Sequence, residues 1–134
     1  MINFFDAKYL TEPARKDGLF GICDDGKLAY TTTAGEPMEW VAVVTNKDNH
    51  QLQFVPIDHN IIVKNKDGNE RSQCDGMLYS VDNAWLIFVE LKEVRKGWHN
   101  KPLEQLEATI QLFLQNHDYT LYSKRLAYAI NHKH

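Results

Sequence analysis

The chain has 134 residues, of which 43% are hydrophobic, and this size and composition fit one compact domain with its own core. A formal net charge of -3 argues against general affinity for nucleic acid, because binding to a phosphate backbone depends on concentrated Lys and Arg. The sequence has no long apolar segment and no basic leader followed by a cleavage-like site. A membrane span and a recognisable secretion signal are therefore not expected, and a cytoplasmic location is predicted.

The N-terminal half of the chain predicts mainly strands, although the first thirty residues are ambiguous. Residues 38–45 and 51–57 are apolar segments on either side of a polar turn, so they are predicted to form a hairpin. A further strand around residues 61–64 is expected to turn at Asp67-Gly68 into the next strand. These segments predict an antiparallel meander.

The centre of the chain predicts a second hairpin, formed by residues 73–80 and 85–92. Residues 85–92 form an apolar run with β-branched and aromatic side chains, which is typical of a strand buried on both faces. If the turn is centred on residues 82–83, the numbers of paired residues sum to about 165, since this sum is constant in an antiparallel hairpin. The register then places Asp75 opposite Glu90.

Charged side chains close the second strand of this hairpin. Because side chains alternate between the two faces of a strand, Glu90 and Lys92 point to one side of the sheet and Leu91 to the other. Asp75, directly opposite Glu90, shares that side, so two carboxylates and an ammonium are expected in one pocket. Two like charges this close are unfavourable, and a divalent cation is the usual counter-charge.

A helix is predicted after this hairpin, with Pro102 at an early helical position and an apolar face that packs on the sheet. Gln105 and Thr109 lie together at the border of that face, where Gln105 can reach the edge of the pocket. Residues 125–130 are predicted to form the last strand. The apolar face consists of Leu103, Leu106, Ile110, Phe113 and Leu114, and the opposite face consists of Glu104, Glu107, Gln111 and Gln115.

The order strand, strand, helix, strand, with Asp75, Glu90-Leu91-Lys92 and Gln105 at these positions, resembles the PD-(D/E)XK nuclease superfamily. This superfamily has the fold of many restriction endonucleases and of Holliday junction resolvases. The resemblance covers about residues 60–131 and implies that residues 1–134 form a single α/β domain. Its core would be restriction-endonuclease-like, with a mixed sheet that contains an antiparallel meander and is flanked by helices.

The resemblance implies metal-dependent hydrolysis of phosphodiester bonds in nucleic acid, with DNA as the first expectation. Asp75, Glu90 and the backbone carbonyl of Leu91 would hold Mg²⁺ or Mn²⁺. Lys92 would orient the nucleophile or offset charge in the transition state, and Gln105 would position the water, the lysine or the phosphate.

Two features depart from the pattern of the superfamily. Cys74 stands where the name motif has proline, at a position that varies widely. The superfamily often carries a further acidic residue on a helix before the core strands, and the candidates here are Glu12, Glu36 and Glu39. A zinc site is not expected, because the two cysteines and six histidines show no zinc-binding spacing.

The loop after the Glu90 strand is basic and aromatic, which suits contact with a phosphate backbone or stacking on a base. The alternative is a solvated loop with one anchoring tryptophan. The candidate substrate-binding residues of this segment are Arg95, Lys96, Trp98, His99 and Lys101.

Each motif also has a simpler interpretation. Asp75-Gly76 alone is typical of a turn, Glu90 with Lys92 is typical of a surface ion pair, and Gln105 alone is typical of a helix surface. Two other functional classes therefore remain open, namely an inactive nuclease-fold module that binds nucleic acid or a protein partner, and a structural subunit. A lone domain of this size would find its substrate through a partner protein, a second copy in a homodimer, or its loops.

Overall fold

Seven strands form two sheets in the computed structural model, which describes residues 2–92 and 101–131. The first sheet has the order β2-β1-β3 and consists of β1 (Leu19–Asp24), β2 (Ala29–Thr32) and β3 (Ala42–Thr45). The second has the order β4-β5-β6-β7 and consists of β4 (Leu52–Pro56), β5 (Gly76–Ser80), β6 (Trp85–Lys92) and β7 (Lys124–Asn131). The α-helix of the described residues is α1 (Lys101–Asn116), and three short 3₁₀ turns cover Ala7–Tyr9, Pro37–Glu39 and Tyr119–Leu121.

The second sheet is a meander completed by a crossover. Strands β4, β5 and β6 pair antiparallel, and β7 joins β6 in parallel after the chain has passed through α1. Gly76 pairs with Val89 and Met77 with Phe88, so the paired numbers sum to 165 and the predicted hairpin register is confirmed. The α/β class and the order strand, strand, helix, strand are also observed.

Both faces of this sheet are covered, which explains why β6 is apolar at almost every position. Leu86 and Phe88 belong to the core between the sheet and α1, where Phe113 of the helix is fully buried. Ile87 and Val89 belong to the core between the two sheets. The side chains of β6 therefore alternate between two hydrophobic layers, and Glu90 continues the layer under α1.

The predicted hairpin of residues 38–45 and 51–57 is wrong, because these segments belong to different sheets. Strand β3 pairs with β1, a strand that the sequence did not predict, and β4 pairs with β5. The loop after β3 is held towards β1 by Asn46, whose N–H donates to the carbonyl of Gly18 and whose amide donates to the carbonyls of Asp17 and His50.

The predicted strand around residues 61–64 is also wrong. The N–H of Ile61 donates to the carbonyl of Ile57 in a tight turn. The predicted turn at residues 67–68 is present, flanked by an isolated bridge between Lys64 and Glu70 and by a hydrogen bond from the N–H of Arg71 to the carbonyl of Val63.

The sequence predicted that helices flank the sheet, but in the described part of the chain the second sheet does not have a helix on each face. Within the described ranges, α1 covers one face and the three-stranded sheet packs on the other. The predicted apolar face of α1 is narrower than expected, since Leu103 and Leu114 are 52% and 44% exposed. No helix in the described ranges is both long enough and apolar enough for a membrane crossing.

Candidate functional site

Asp75 and Glu90 meet where the central hairpin ends. Gly76 and Val89 form the last pair of the β5–β6 ladder. Asp75, one residue before Gly76, and Glu90, one residue after Val89, would be the next pair in the same register. The Oδ2 atom of Asp75 accepts a hydrogen bond of 2.7 Å from the backbone N–H of Leu91. The carboxylate of Asp75 is thereby fixed against the end of β6, beside Glu90.

Glu90 is almost completely buried, with 1% of its surface exposed. Its Oε2 atom lies 3.1 Å from Nζ of Lys92, whose side chain is 32% exposed. Its Oε1 atom is buried and has no hydrogen-bond partner among the described residues. The interpretation of Glu90 and Lys92 as a surface ion pair is therefore wrong, because one partner of the pair is buried.

The two carboxyl groups lie in an environment that disfavours two negative charges. Burial is the largest cause that raises the pKa of Glu90, to about 8, and the negative charge of Asp75 raises it further against the opposing effect of Lys92. Burial also raises the pKa of Asp75, while the Leu91 N–H lowers it and the charge of Asp24 raises it. Without a bound cation, the pair is expected to hold a proton near neutral pH.

The helix α1 is attached to the segment that contains Asp75 and leads into β5. The hydroxyl of Thr109 accepts a hydrogen bond of 2.9 Å from the N–H of Cys74 and donates one of 2.9 Å to the carbonyl of Gln105. Thr109 is fully buried. The Oε1 atom of Gln105 is buried without a hydrogen-bond partner among the described residues. Gln105 therefore lies on α1 one turn before Thr109, with a side-chain oxygen that is buried and has no partner among the described residues.

These groups fit a divalent cation. Buried oxygens are normally hydrogen-bonded, and the unpartnered Oε1 atom of Glu90 is an exception that a bound ion, or a proton shared with Asp75, would explain. Carboxylate and amide oxygens are the ligands that Mg²⁺ and Mn²⁺ prefer. The N–H of Leu91 faces Asp75, and in an antiparallel pair the N–H and carbonyl of one residue face the same neighbour, which suits the predicted carbonyl ligand.

The basic loop of the sequence analysis lies mostly outside the described residues, namely at Arg95, Lys96, Trp98 and His99. Lys101 is described and is an exposed residue at the start of α1.

The candidate acids from the N-terminal region have other contacts. The carboxylate of Glu12 accepts hydrogen bonds from the N–H and the hydroxyl of Thr31. Glu36 and Glu39 form a capping box around the turn Pro37–Glu39. The acid whose charge acts on Asp75 is instead Asp24, at the end of β1. Asp24 is not among the predicted site residues, because β1 itself was not predicted.

A second cluster of metal-binding residue types consists of Asp58, His59 and Glu70. Their candidate ligand atoms lie within 4.8 Å of one another. Nε2 of His59 is 3.4 Å from Asp58, and Nδ1 is 3.4 Å from Glu70, so the carboxylates use opposite ring nitrogens. Because the two carboxylates contact opposite nitrogens of one ring, His59 can offer only one of these nitrogens to a shared cation, and its side chain is 60% exposed.

Comparison of the chain with protein-family models, with curated proteins and with solved structures gives no match.

Proposed function

We propose that the protein hydrolyses phosphodiester bonds in nucleic acid, with DNA as the first candidate, through a metal-dependent site of the PD-(D/E)XK type. The observation that carries this proposal is the half-buried Asp75 beside the buried Glu90, with the Lys92 ammonium 3.1 Å from one Glu90 oxygen and no hydrogen-bond partner among the described residues for the other. A buried acid with a free oxygen is costly unless a cation or proton satisfies it. Two unpaired cysteines agree with action in the cytoplasm.

The topology supports the same proposal. An antiparallel meander of β4, β5 and β6, followed by α1 and the parallel strand β7, is the arrangement expected of a restriction-endonuclease-like core. Asp75 precedes β5, Glu90 and Lys92 end β6, and Gln105 lies on α1.

Each residue has a role that follows from its place in the site. Asp75 and Glu90, with the carbonyl of Leu91, would hold the cation. When bound, Mg²⁺ or Mn²⁺ polarises a phosphodiester and makes a bound water more acidic. Lys92 reaches the pocket from the more exposed side, so its ammonium can contact a phosphate oxygen while Glu90 stays buried. Gln105 has a buried side-chain oxygen that can accept a hydrogen bond.

Substrate binding is assigned to Lys101 and to the basic and aromatic residues that precede it in the sequence. Lys101 is exposed at the start of the helix that carries Gln105. The chain as a whole has a net charge of -3, so general binding to a phosphate backbone is not expected. The ammonium of Lys101 can instead make a local contact with a phosphate group.

The test is incubation of the purified protein with Mg²⁺ or Mn²⁺ and a panel of single-stranded, duplex and branched DNA and RNA. We expect cleavage that EDTA abolishes and that Asp75→Ala and Glu90→Ala remove together with Mn²⁺ binding in calorimetry. Glu107→Ala, at an exposed acid on the outer face of α1, is the matched control and should leave both unchanged. Retained metal-dependent cleavage in Glu90→Ala would contradict the assignment.

One observation favours the alternative of an inactive module that binds nucleic acid or a protein partner. The Lys92 ammonium already contacts Glu90, so it supplies a positive charge to the pocket without any metal. In that case the panel would show binding without cleavage, and calorimetry would show no Mn²⁺ affinity.

A further inference from the structure

Asp58, His59 and Glu70, the second cluster of metal-binding residue types, come together only in the folded chain. Asp58 and His59 follow β4, and Glu70 lies beyond the turn at residues 67–68. Each of the three offers one ligand atom, and these atoms lie within 4.8 Å of one another. Because two separate segments supply the residues, their spacing in the sequence shows no metal-binding pattern.

Backbone hydrogen bonds fix the two segments that carry the acids. The N–H of Asp58 donates to the carbonyl of Cys74, and Oδ1 of Asp58 accepts a hydrogen bond of 3.2 Å from the N–H of Gln73. Glu70 belongs to the isolated bridge across the turn at residues 67–68. One oxygen of Asp58 thus holds its side chain in place, and the other oxygen, Oδ2, is available as a metal ligand.

The distances from the His59 ring are those expected between neighbouring ligands of one ion. Nε2 of His59 lies 3.4 Å from Oδ2 of Asp58, and Nδ1 lies 3.4 Å from Oε1 of Glu70. Both distances exceed the range of about 2.7–3.2 Å that is usual for N–H···O hydrogen bonds. Two ligands that each lie about 2.0–2.1 Å from a tetrahedral zinc ion are about 3.3 Å apart. The spacing therefore suits a shared cation.

The charges of the cluster also favour a bound cation. No lysine or arginine of the described residues forms an ion pair with Asp58 or Glu70. The basic group that contacts both carboxylates is the His59 ring, and an imidazole that binds a metal is neutral. A divalent ion bound to the neutral ring would balance the charges of both carboxylates.

We propose that Asp58, His59 and Glu70 bind a divalent transition-metal ion, with Zn²⁺ as the first candidate. Nε2 of His59 is assigned to the ion because it lies beside Asp58, the acid whose side chain is held by a backbone N–H. The Glu70 side chain is 42% exposed, so it can rotate from Nδ1 of the ring to the ion as the third ligand. Water would fill the remaining positions.

This ion would differ from the cation proposed at Asp75 and Glu90 in its chemistry and in its role. A site with an imidazole ligand prefers Zn²⁺ to Mn²⁺, whereas a site of oxygen ligands suits Mg²⁺ and Mn²⁺. The ion would link the segment after β4 to the segment around Glu70 and would thereby stabilise the folded loop between them. The inference is independent of the proposed catalysis, since it concerns a separate set of residues.

The test is calorimetry with Zn²⁺ near neutral pH on the full chain carrying Glu90→Ala, in which the other proposed site lacks a ligand. We expect one bound Zn²⁺ ion and a Tm that rises with the Zn²⁺ concentration. Asp75→Ala serves as the background if Glu90→Ala does not fold, as judged by circular dichroism. Addition of Asp58→Asn or Glu70→Gln should weaken Zn²⁺ binding at least about tenfold.

The sharpest variant is His59→Gly in the same background. The φ angle of His59 is 66°, in the left-handed region that glycine adopts without a steric penalty, so this variant should fold. It removes the imidazole and should abolish Zn²⁺ binding together with the rise in Tm.

Two matched controls should bind Zn²⁺ as tightly as the background protein. They are Asp67→Asn, at an exposed acid of the same loop, and His50→Gln, at a histidine whose ring contacts the single acid Asp82. Zn²⁺ binding that survives His59→Gly would place the ion on other residues and overturn the proposal, and so would the absence of Zn²⁺ binding in the background protein. Neither result bears on the proposed hydrolysis, because His59→Gly with Glu90 intact should retain Mn²⁺-dependent cleavage.

Discussion

The carboxylate of Asp75 accepts a hydrogen bond of 2.7 Å from the backbone N–H of Leu91. This contact joins the residue that precedes β5 to the end of β6, beyond the paired residues Gly76 and Val89. The hydrogen bond favours the charged form of Asp75, while burial and the charge of Asp24 oppose it. Asp75 thus has a fixed position, and its surroundings disfavour its negative charge. Both properties suit a metal ligand, because a bound cation would compensate that charge.

The first prediction concerns Asp75→Asn. The amide oxygen can still accept the Leu91 N–H, so the fold should be preserved, but a neutral amide is a weaker ligand for a hard cation. We expect the Mn²⁺ affinity, measured by calorimetry, to fall at least about tenfold, or about 1.4 kcal/mol. Asp118→Asn, at an exposed turn, should bind Mn²⁺ like the wild type. Unchanged Mn²⁺ affinity in Asp75→Asn would exclude Asp75 as a ligand.

The second prediction concerns pH and the metal-free protein. The pKa of Glu90 is about 8 in the fold and 4.5 for the ordinary side chain, so between these values the folded state keeps a proton that the unfolded chain has released. The contribution of this proton to stability is complete below about pH 4.5 and is lost as the pH rises through about 8. The raised pKa of Asp75 acts in the same direction.

Thermal unfolding in EDTA between pH 5 and pH 8 tests this linkage. The Tm of the wild type should fall with rising pH by more than that of Glu90→Gln, because glutamine mimics the protonated acid and does not ionise. At the upper end of the range Glu90→Gln should be the more stable protein. Glu107→Gln, at an exposed position, should keep the wild-type slope. Equal slopes for Glu90→Gln and wild type would show that Glu90 does not hold the proton.

The third prediction distinguishes the role of Lys92 from the roles of Asp75 and Glu90. Nζ of Lys92 lies 3.1 Å from Glu90, so Lys92→Met removes the ammonium but leaves both carboxylates in place. We expect Mn²⁺ binding to be preserved, because a cation can replace the missing charge, and cleavage of the substrate found in the nucleic-acid panel to be lost. Lys27→Met, at an exposed turn, should cleave normally. Loss of Mn²⁺ binding in Lys92→Met would show that Lys92 is needed to keep Asp75 and Glu90 in a metal-binding arrangement.

The part of the site that the sequence predicted is the part determined by local rules. The turn between β5 and β6 and the alternation along β6 fix which residues face each other, so Asp75, Glu90 and Lys92 could be placed together without coordinates. The helix period likewise predicted Gln105 and Thr109 at the border of the buried face; Gln105 is half-buried there, whereas Thr109 is fully buried.

The rest depended on contacts between distant residues. Strand β1 contains Gly21, which weakens a strand prediction, yet a Cβ at this position would lie 2.2 Å from Cγ of Trp40. The glycine is therefore needed for packing against a residue that is distant in sequence. Because β1 was missed, the partner of β3 and the acid Asp24 were missed with it.

The fourth prediction concerns Thr109, whose hydroxyl links α1 to Cys74. Thr109→Val keeps the shape but leaves the buried N–H of Cys74 without an acceptor, so we expect unfolding in urea to show a loss of about 1–3 kcal/mol. Since Cys74 precedes Asp75, Mn²⁺ affinity should fall as well. Thr109→Ser retains the hydroxyl and should restore most of the Mn²⁺ affinity. Equal Mn²⁺ affinity in the valine and serine variants would limit Thr109 to packing.

The fifth prediction concerns Gly76, between Asp75 and the buried part of β5. A Cβ at Gly76 would lie 2.3 Å from Cζ of Phe54, a ring that is 1% exposed and has little room to move. Gly76→Ala must therefore displace either the ring or the strand, and we expect a loss of about 1–3 kcal/mol in the free energy of unfolding.

The matched control for this substitution is Gly18→Ala, because its Cβ would meet only ordinary contacts, the nearest at 3.7 Å to Nδ2 of Asn49. Urea unfolding should show a change within about 0.5 kcal/mol for Gly18→Ala. If β5 moves to relieve the clash in Gly76→Ala, Asp75 moves with it, and Mn²⁺ affinity should fall together with stability. If Gly76→Ala had the same free energy of unfolding as Gly18→Ala, the Phe54 ring could move at no cost in stability. The close packing of β4 on β5 would then not determine the position of Asp75.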